Sequence, residues 1–175
     1  MKKALIVLAA PVIICFTSCG GSKADEEVIL PGMMKVQLIV ASDTLSMIIP
    51  DSTKGKVEIV EQPWGATEIK VGKDFQLSIE QGEGDVTLAK SDIAGDEVYK
   101  LQRYLKDEPT LLFWESKIAD MPNSNFHFYS ISKVGKASYL IKDIESGDAY
   151  SEKAVQTMVD AAKTLKAKVS ETLNP

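Results

Sequence analysis

The sequence predicts an α+β fold, in which a mostly antiparallel sheet of about six strands packs against two helices. Three observations favour this class. Short β-rich segments are joined by turn residues at hairpin spacing, a helical segment is expected between strands, and the C-terminal segment carries apolar residues at helical spacing. No internal repeat is evident, so a single domain is expected.

The first half of the domain is predicted to consist of short strands. Structure begins at 36–41 or at 44–49, and the residues leave both alternatives open. Apolar and polar residues alternate through 75–80, which indicates a strand with one buried and one solvent-facing side. The turn residues 72–74 join this strand to the one before it. The strands predicted after the first are 57–60, 67–71 and 75–80, with a short extended piece at 86–89.

A helix is predicted over about residues 91–106, and three long strands follow it. Ser91 is its expected N-cap, and Pro109 lies just past its end. Residues 111–114 are consecutively apolar, so either both faces of their strand are covered or one face is an interaction surface. The three strands, separated by turns near Pro122 and Gly135, are predicted at 110–118, 125–133 and 137–144.

The C-terminal segment, about residues 151–172, has the clearest helical pattern in the chain. Ser151 is the expected N-cap, and lysines occupy the other end, where they suit the helix dipole. We expect this helix to pack across one face of the sheet. Its apolar stripe consists of Val155, Met158, Val159, Ala162, Leu165 and Val169.

Residues 1–18 have the composition of a secretory signal peptide. The positive start Met1-Lys2-Lys3 precedes thirteen uncharged residues, 4–16. A helix that crosses a bilayer needs roughly 20 apolar residues, so this segment is too short, and Pro11 interrupts it. The pattern therefore favours a cleaved leader over a membrane-spanning anchor.

The residues at the end of the leader, Thr17-Ser18-Cys19, resemble the lipobox of bacterial lipoproteins. In that family the cysteine after a small residue is lipidated and becomes the mature N-terminus, which implies lipidation of Cys19. Phe16 departs from the aliphatic residue that the family usually carries three places before the cysteine. Ordinary cleavage nearby, with Cys19 left as a free thiol, is the alternative, and Cys15 is a competing cysteine.

The lipoprotein resemblance also implies a location. Gly20 is not the Asp that commonly retains lipoproteins in the inner membrane, which implies lipid anchoring in the outer membrane, facing the periplasm or the cell surface. The acidic run at 25–27 is similar to signals that some bacteria use to pass lipoproteins to the outer surface, or it belongs to a solvated tether. We therefore expect a flexible tether over 19–35 and a single folded domain over 36–175.

The composition excludes several classes of partner and site. Without Lys2 and Lys3, 25 acidic residues face 18 basic ones, a formal charge of −7, which argues against a nucleic-acid partner. Apart from Cys19 the mature chain has no cysteine, so it has neither an internal disulfide nor a cysteine metal site. We expect no cofactor, and a packed core has to supply the stability.

The order of the segments is similar to that of small Mog1/PsbP-type domains. The similarity covers residues 44–170 and is carried by "TLSMIIP", the turn at Gly135, "ASYLIKDI" and "SEKAVQTMVDAAKTL". It implies a binding or assembly-assisting module, with an envelope protein as its partner, and no enzymatic activity. It transfers no ligand residue to this chain.

Few residues could carry chemistry, and we expect neither a catalytic nor a metal site. The sequence contains no Gly-rich phosphate loop and no GxSxG or HExxH motif. His127 is the only histidine, and without evident partners a structural role is favoured over that of a base. Glu80, Glu83 and Asp85 could bind a hard cation, but their spacing differs from the calcium loop and favours a solvated loop.

Three aromatic residues are candidate ligand contacts, namely Trp64 in a predicted turn and Tyr129 and Tyr139 in predicted strands. The alternative for Trp64 is that it covers one end of the core. Three functions remain open. The first is a non-enzymatic protein-binding or assembly-assisting lipoprotein. The second is a small-ligand or carbohydrate-binding lipoprotein that uses exposed aromatics, and the third is an enzyme with His127 or a carboxylate as its base.

Overall fold

The computed structural model describes residues 28–144 and 149–168, which form ten strands and two helices. The first seven elements in chain order are β1 (Met33–Val40), β2 (Asp43–Pro50), β3 (Val57–Glu61), β4 (Thr67–Val71), β5 (Phe75–Gln81), α1 (Val86–Gly95) and β6 (Tyr99–Glu108). The remaining five are β7 (Leu111–Ile118), β8 (Ser124–Val134), β9 (Ala137–Asp143), α2 (Glu152–Ala162) and β10 (Lys166–Ala167).

The strands form two sheets, in which every neighbouring pair is antiparallel. The large sheet has seven strands in the order β3-β4-β5-β9-β8-β7-β6, and the small sheet has three in the order β1-β2-β10. The predicted α+β class with a mostly antiparallel sheet is therefore confirmed. The prediction of one sheet of about six strands is close for the large sheet, which has seven, but it does not include the separate three-stranded sheet.

The core lies between one face of the large sheet and a layer made of α2 and the small sheet. Strand alternation directs Leu77 and Ile141 to this face, where both are fully buried. α2 contributes its apolar side, on which Met158 is completely inaccessible to solvent. The predicted N-cap of this helix is confirmed, because the Ser151 hydroxyl accepts a hydrogen bond from the Ala154 amide at 3.2 Å.

The predicted helix over 151–172 is wrong in its second half, since α2 ends after 11 residues and β10 follows. No glycine or proline stops it. The Thr164 hydroxyl instead accepts a hydrogen bond from the Ile48 amide (2.8 Å) and donates one to the Ala161 carbonyl (2.7 Å). β10 then pairs with β2, so contacts with β2 replace another turn of helix. Residues 169–172 of the predicted helix lie outside the described residues.

The helix predicted over 91–106 is also wrong, because most of this range forms strand β6. α1 begins earlier, at the segment 86–89 that the sequence predicts to be extended. Its N-cap is Asp85 and not Ser91, and the Asp85 carboxylate accepts hydrogen bonds from two amides of the first turn.

Two β-bulges in β6 account for the false helical pattern. The pairing with β7 shifts by one residue after Leu101 and again after Tyr104. Each extra residue changes the spacing of side chains on one face from two to three, which is a spacing that an amphipathic helix also produces.

Both candidate first strands form, as β1 and β2, and they pair as a hairpin. β1 begins at Met33, so residues 33–35 of the predicted tether belong to a strand. The predicted signal peptide, Cys19 and the acidic run lie outside the described residues. Within the residues described, no helix has the length and apolar character needed to cross a membrane.

Candidate functional site

The outer face is the face of the large sheet that points away from the core. Phe128 is fully buried in the core, so its neighbours His127 and Tyr129 on β8 point to the outer face. α1 crosses this face. At the start of α1, the Asp85 amide donates a hydrogen bond to the Tyr129 hydroxyl (2.9 Å). At the end of α1, Asp96 lines a cavity together with His127. Both faces of β7 are covered here, as its consecutive apolar residues predict.

His127 is paired with a carboxylate. Its Nδ1 lies 2.8 Å from Oδ2 of Asp143, whose Oδ1 accepts a hydrogen bond from the Phe128 amide at 2.8 Å. Trp114 stacks on the imidazole with ring centroids 5.4 Å apart, and Tyr99 meets it edge-on at 5.7 Å. A carboxylate oxygen accepts hydrogen bonds, so the imidazole Nδ1–H is the donor to Asp143.

The Nε2 atom of His127 is buried and has no hydrogen-bond partner within the described residues. His127 lines a cavity of about 50 Å³ together with Ile93, Asp96, Tyr99 and Trp114. A water molecule occupies about 30 Å³ in the liquid, so this space fits a water and not an organic substrate. The imidazole is therefore held in a fixed orientation by Asp143, with no room beside it for a reactant.

Tyr139 lines an open cavity of about 430 Å³ near the start of β9. Its ring is buried, and its hydroxyl donates a hydrogen bond to Oδ2 of Asp43 at 2.5 Å. Gln81 and Lys136 add polar groups to the cavity walls. A space of this size accommodates a small ligand. Because the Tyr139 hydroxyl is already engaged, such a ligand would contact Lys136 and Gln81 first.

The buried Tyr139 hydroxyl should lose its proton at a higher pH than an ordinary tyrosine. Burial, followed by the hydrogen bond to Asp43, raises the pKa of Tyr139 to about 12. A tyrosine in the unfolded chain titrates near pH 10, so the stability linked to this proton is fully present below about pH 10 and is lost as the pH rises through 12. We expect an ultraviolet absorbance titration to show a late tyrosine that the Tyr139→Phe variant lacks. Ionisation of every tyrosine together near pH 10 would contradict this.

The three aromatic residues predicted as ligand contacts lie in different surroundings. Trp64 is 68% exposed in the turn between β3 and β4, so it does not cover the core. Tyr129 lies on the outer face with its hydroxyl bonded to the start of α1, and Tyr139 faces the cavity beside Asp43. They do not form a common ligand site.

The acidic loop at 80–85 serves to cap α1. The Asp85 carboxylate accepts hydrogen bonds from the amides of Thr87 (2.8 Å) and Leu88 (3.1 Å). Among the residues that the structure describes, no group of three or more His, Cys, Asp or Glu is placed to hold a metal ion. The carboxylates of this loop therefore do not converge on a cation.

Four exposed apolar side chains lie in or beside the β3–β4 hairpin, on both of its faces, and we call this set of residues the hairpin patch. Ile39, at the end of β1, is tied to the hairpin because the Thr67 hydroxyl donates a hydrogen bond to the Ile39 carbonyl at 2.5 Å. Sequence reasoning found Trp64 and missed the other three, whose exposure depends on where their strands lie. The members and their exposed fractions are Ile39 (51%), Ile59 (40%), Val60 (47%) and Trp64 (68%).

The hairpin patch borders a free edge of the large sheet. β3 is an end strand of that sheet, and four of its five residues are exposed. The opposite end strand, β6, carries two bulges and several charged side chains, which are devices that block unwanted strand pairing. β3 is short and carries Glu58 and Glu61, but it pairs with β4 without a bulge, and within the described residues no further strand pairs with its outward edge.

No family model, curated protein or solved structure matches this chain. Its surfaces are therefore judged by their own chemistry. The His127–Asp143 pair is covered, and the cavity beside Tyr139 is open but has its tyrosine hydroxyl engaged. Within the part of the chain that the structure describes, the hairpin patch exposes apolar side chains, and the outward edge of β3 pairs with no other strand.

Proposed function

We propose that this chain is a lipid-anchored bacterial envelope lipoprotein whose folded domain is a non-enzymatic protein-binding or assembly-assisting module. The observation that carries the proposal is the free β3 edge beside the hairpin patch. An exposed edge strand is a template for another strand, and natural proteins usually block such edges. Here the edge has no bulge, exposes Ile59 and Val60, and lies next to a largely exposed tryptophan, which favours a binding role.

The partner binds by strand addition, in which an extended segment forms backbone hydrogen bonds with β3. Ile59 lies opposite Ile69 on the core side of the sheet, and Val60 points to the other side. An added strand therefore meets an apolar side chain on each face. Trp64 extends the surface at the hairpin tip with the kind of side chain that commonly dominates binding energies.

The partner segment should carry apolar residues and at least one basic residue. Glu58 and Glu61 lie on either side of the two exposed apolar residues of β3, Ile59 and Val60. Glu58 already has an ion-pair partner in Lys56 at 2.6 Å, so the basic residue is expected opposite Glu61. Opposite charges across neighbouring strands contribute about 0.2–1 kcal/mol, and like charges destabilise the pairing.

The anchoring part of the proposal is supported by the Thr17-Ser18-Cys19 motif. Acyl chains contribute about 0.8 kcal/mol per buried CH2, so two or more chains anchor stably where one binds only marginally. A tether to the same envelope raises the local concentration of the partner, so that a modest strand-addition affinity is sufficient.

A photo-crosslinking amino acid at position 60 tests the binding surface in living cells. We expect a discrete adduct between the Val60-substituted chain and an envelope protein, because residue 60 lies on the open edge. The adduct should fall about 30-fold when Trp64→Ala is added, since truncating an interface tryptophan costs about 2 kcal/mol and every 1.4 kcal/mol is about tenfold.

The matched control places the same amino acid at Gln102, which is exposed on the opposite edge strand β6. Position 102 should give no discrete adduct. Equal adducts from both positions, or none from position 60, would contradict strand addition at β3.

The second candidate is a small-ligand or carbohydrate-binding lipoprotein, which the cavity of about 430 Å³ beside Tyr139 favours. Native mass spectrometry of the purified protein distinguishes the two. A retained small molecule that is lost in the Lys136→Ala variant would assign the function to the cavity, because Lys136 lines it and lies apart from β3.

A further inference from the structure

We infer that the domain rests on the bilayer that carries its anchor, with the end at residue 28 against the lipid. This inference rests on the proposed function, because it requires lipidation of Cys19. We call the surface concerned the bilayer seat. It consists of Val28, Ile29 and Leu30 and the groove beside them, and its occupant is the headgroup and upper acyl region of a phospholipid bilayer.

Three consecutive apolar side chains are exposed where the described chain begins. The exposed fractions of Val28, Ile29 and Leu30 are 82%, 42% and 66%. Single exposed apolar residues are ordinary, whereas a contiguous apolar run on a surface marks an interaction site. Transfer of this run to a bilayer interface removes it from water, which is favourable by roughly 25 cal/mol per Å².

Hydrogen bonds fix the position at which the apolar run leaves the domain. The Met33 amide donates a hydrogen bond to the Leu30 carbonyl (3.1 Å), and the Asp51 amide donates one to the Gly32 carbonyl (3.0 Å). Gly32 has a φ of 81°, a conformation that residues with a Cβ rarely adopt. This turn ties residues 30–33 to the end of β2, so the apolar run leaves the domain at that end.

A groove of about 480 Å³ opens beside the run. Met33, Phe75 and the first turn of α2 contribute to its walls. Lys54 and Lys153 also line the groove, together with Asp74. Lysine stems lie along apolar surface while their ammonium groups meet phosphate, so apolar side chains edged by lysines suit the phospholipid interface.

The predicted anchor is near enough to hold this end at the membrane. Nine peptide steps separate Cys19 from Val28. They span at most about 30 Å when fully extended and about 15–18 Å as a flexible coil. A tether this short gives the apolar run a high effective concentration at the bilayer, so even a weak affinity for the lipid interface holds the domain there.

The hairpin patch lies at the opposite end of the domain. β1 starts at Met33 beside the groove and reaches Ile39 of the patch after about 20 Å. β4 also runs between the groove and the hairpin patch, because Val71 at one end of β4 lines the groove and Thr67 at the other end contacts Ile39. A domain held by the bilayer seat therefore presents Trp64 and the β3 edge away from lipid, where a protein partner can reach them.

A fluorescent label at residue 30 tests the bilayer seat on the full lipidated protein. The lipid occupies Cys19, and the mature chain has no other cysteine, so Leu30→Cys supplies a unique thiol for an environment-sensitive dye. The protein is reconstituted into phosphatidylcholine–phosphatidylglycerol vesicles that contain a lipid with a nitroxide below the headgroup. We expect the nitroxide to quench the dye about twofold or more.

The matched control is Val60→Cys with the same dye, since Val60 is an exposed apolar residue of the hairpin patch. We expect the nitroxide to leave its emission unchanged. Circular dichroism of both labelled proteins checks that each is folded.

Equal quenching at both positions, or none at residue 30 while the protein floats with the vesicles, overturns the bilayer seat and leaves the lipid anchor intact. A spectral shift at residue 30 that follows protein concentration and not lipid assigns the surface to a second copy of the chain, which also overturns the seat. A protein that neither floats nor carries acyl chains by mass spectrometry overturns the anchor, and the seat with it.

Discussion

The Cys19→Ser variant is expected to lose all fatty-acid label and to leave the membrane fraction, because it lacks the thiol to which we propose that the lipid is attached. Acyl chains contribute about 0.8 kcal/mol per buried CH2, so removing two or more of them lowers membrane partitioning by many orders of magnitude. The bilayer seat would not compensate, since three apolar side chains bury far less surface than the acyl chains do.

Growth with radioactive fatty acid, followed by fractionation of the envelope, measures both effects. Cys15→Ser is the matched control, because Cys15 lies in the predicted leader and is removed with it. It should keep the label and the location. Label that persists in Cys19→Ser, or that disappears in Cys15→Ser, would contradict lipid attachment at residue 19.

Regular strands between turn residues could be predicted from the sequence. Six predicted segments agree with β3, β4, β5, β7, β8 and β9 to within one residue at each end. The pairings among these six strands run without register shifts, so their side chains keep a strict period of two and the pattern is visible locally.

The segment from α1 to β6 could not be predicted, because its pattern depends on distant partners. Tyr104 shares the outer face with Tyr99 and Leu101 only because a bulge forms between Leu101 and Arg103 when β6 pairs with β7. α1 has no buried residue, so it carries no apolar stripe from which a helix could be recognised. The end of α2 similarly depends on the contact between Thr164 and Ile48.

Part of the His127 site could be predicted from the sequence. The turn at Gly135 makes Val134 pair with Ala137, and the same register brings Tyr129 opposite Lys142. One further step places Phe128 opposite Asp143, next to His127. The stacking of Trp114 and the cover by α1 depend on the order of strands in the whole sheet, which no local pattern reveals.

The Asp143→Ala variant is expected to lose about 2–5 kcal/mol of unfolding free energy. The side chain of Asp143 is 5% exposed and accepts hydrogen bonds from His127 Nδ1 and the Phe128 amide, so its removal strands two buried donors. Each unsatisfied donor costs about 1–3 kcal/mol, against a total stability of about 5–15 kcal/mol for a domain. Urea unfolding followed by tryptophan fluorescence should show a lower midpoint with an unchanged slope.

Two further variants separate the buried hydrogen bonds from the loss of a surface charge. Asp143→Asn keeps an oxygen for one donor and turns an NH2 group toward the other, so an intermediate loss is expected. Asp107→Ala removes an exposed ion pair with Lys90 (2.5 Å) and should cost no more than about 1 kcal/mol. If Asp143→Ala and Asp107→Ala unfold at the same urea concentration, water must satisfy both stranded donors, and the cover that α1 provides over His127 must then be open in solution.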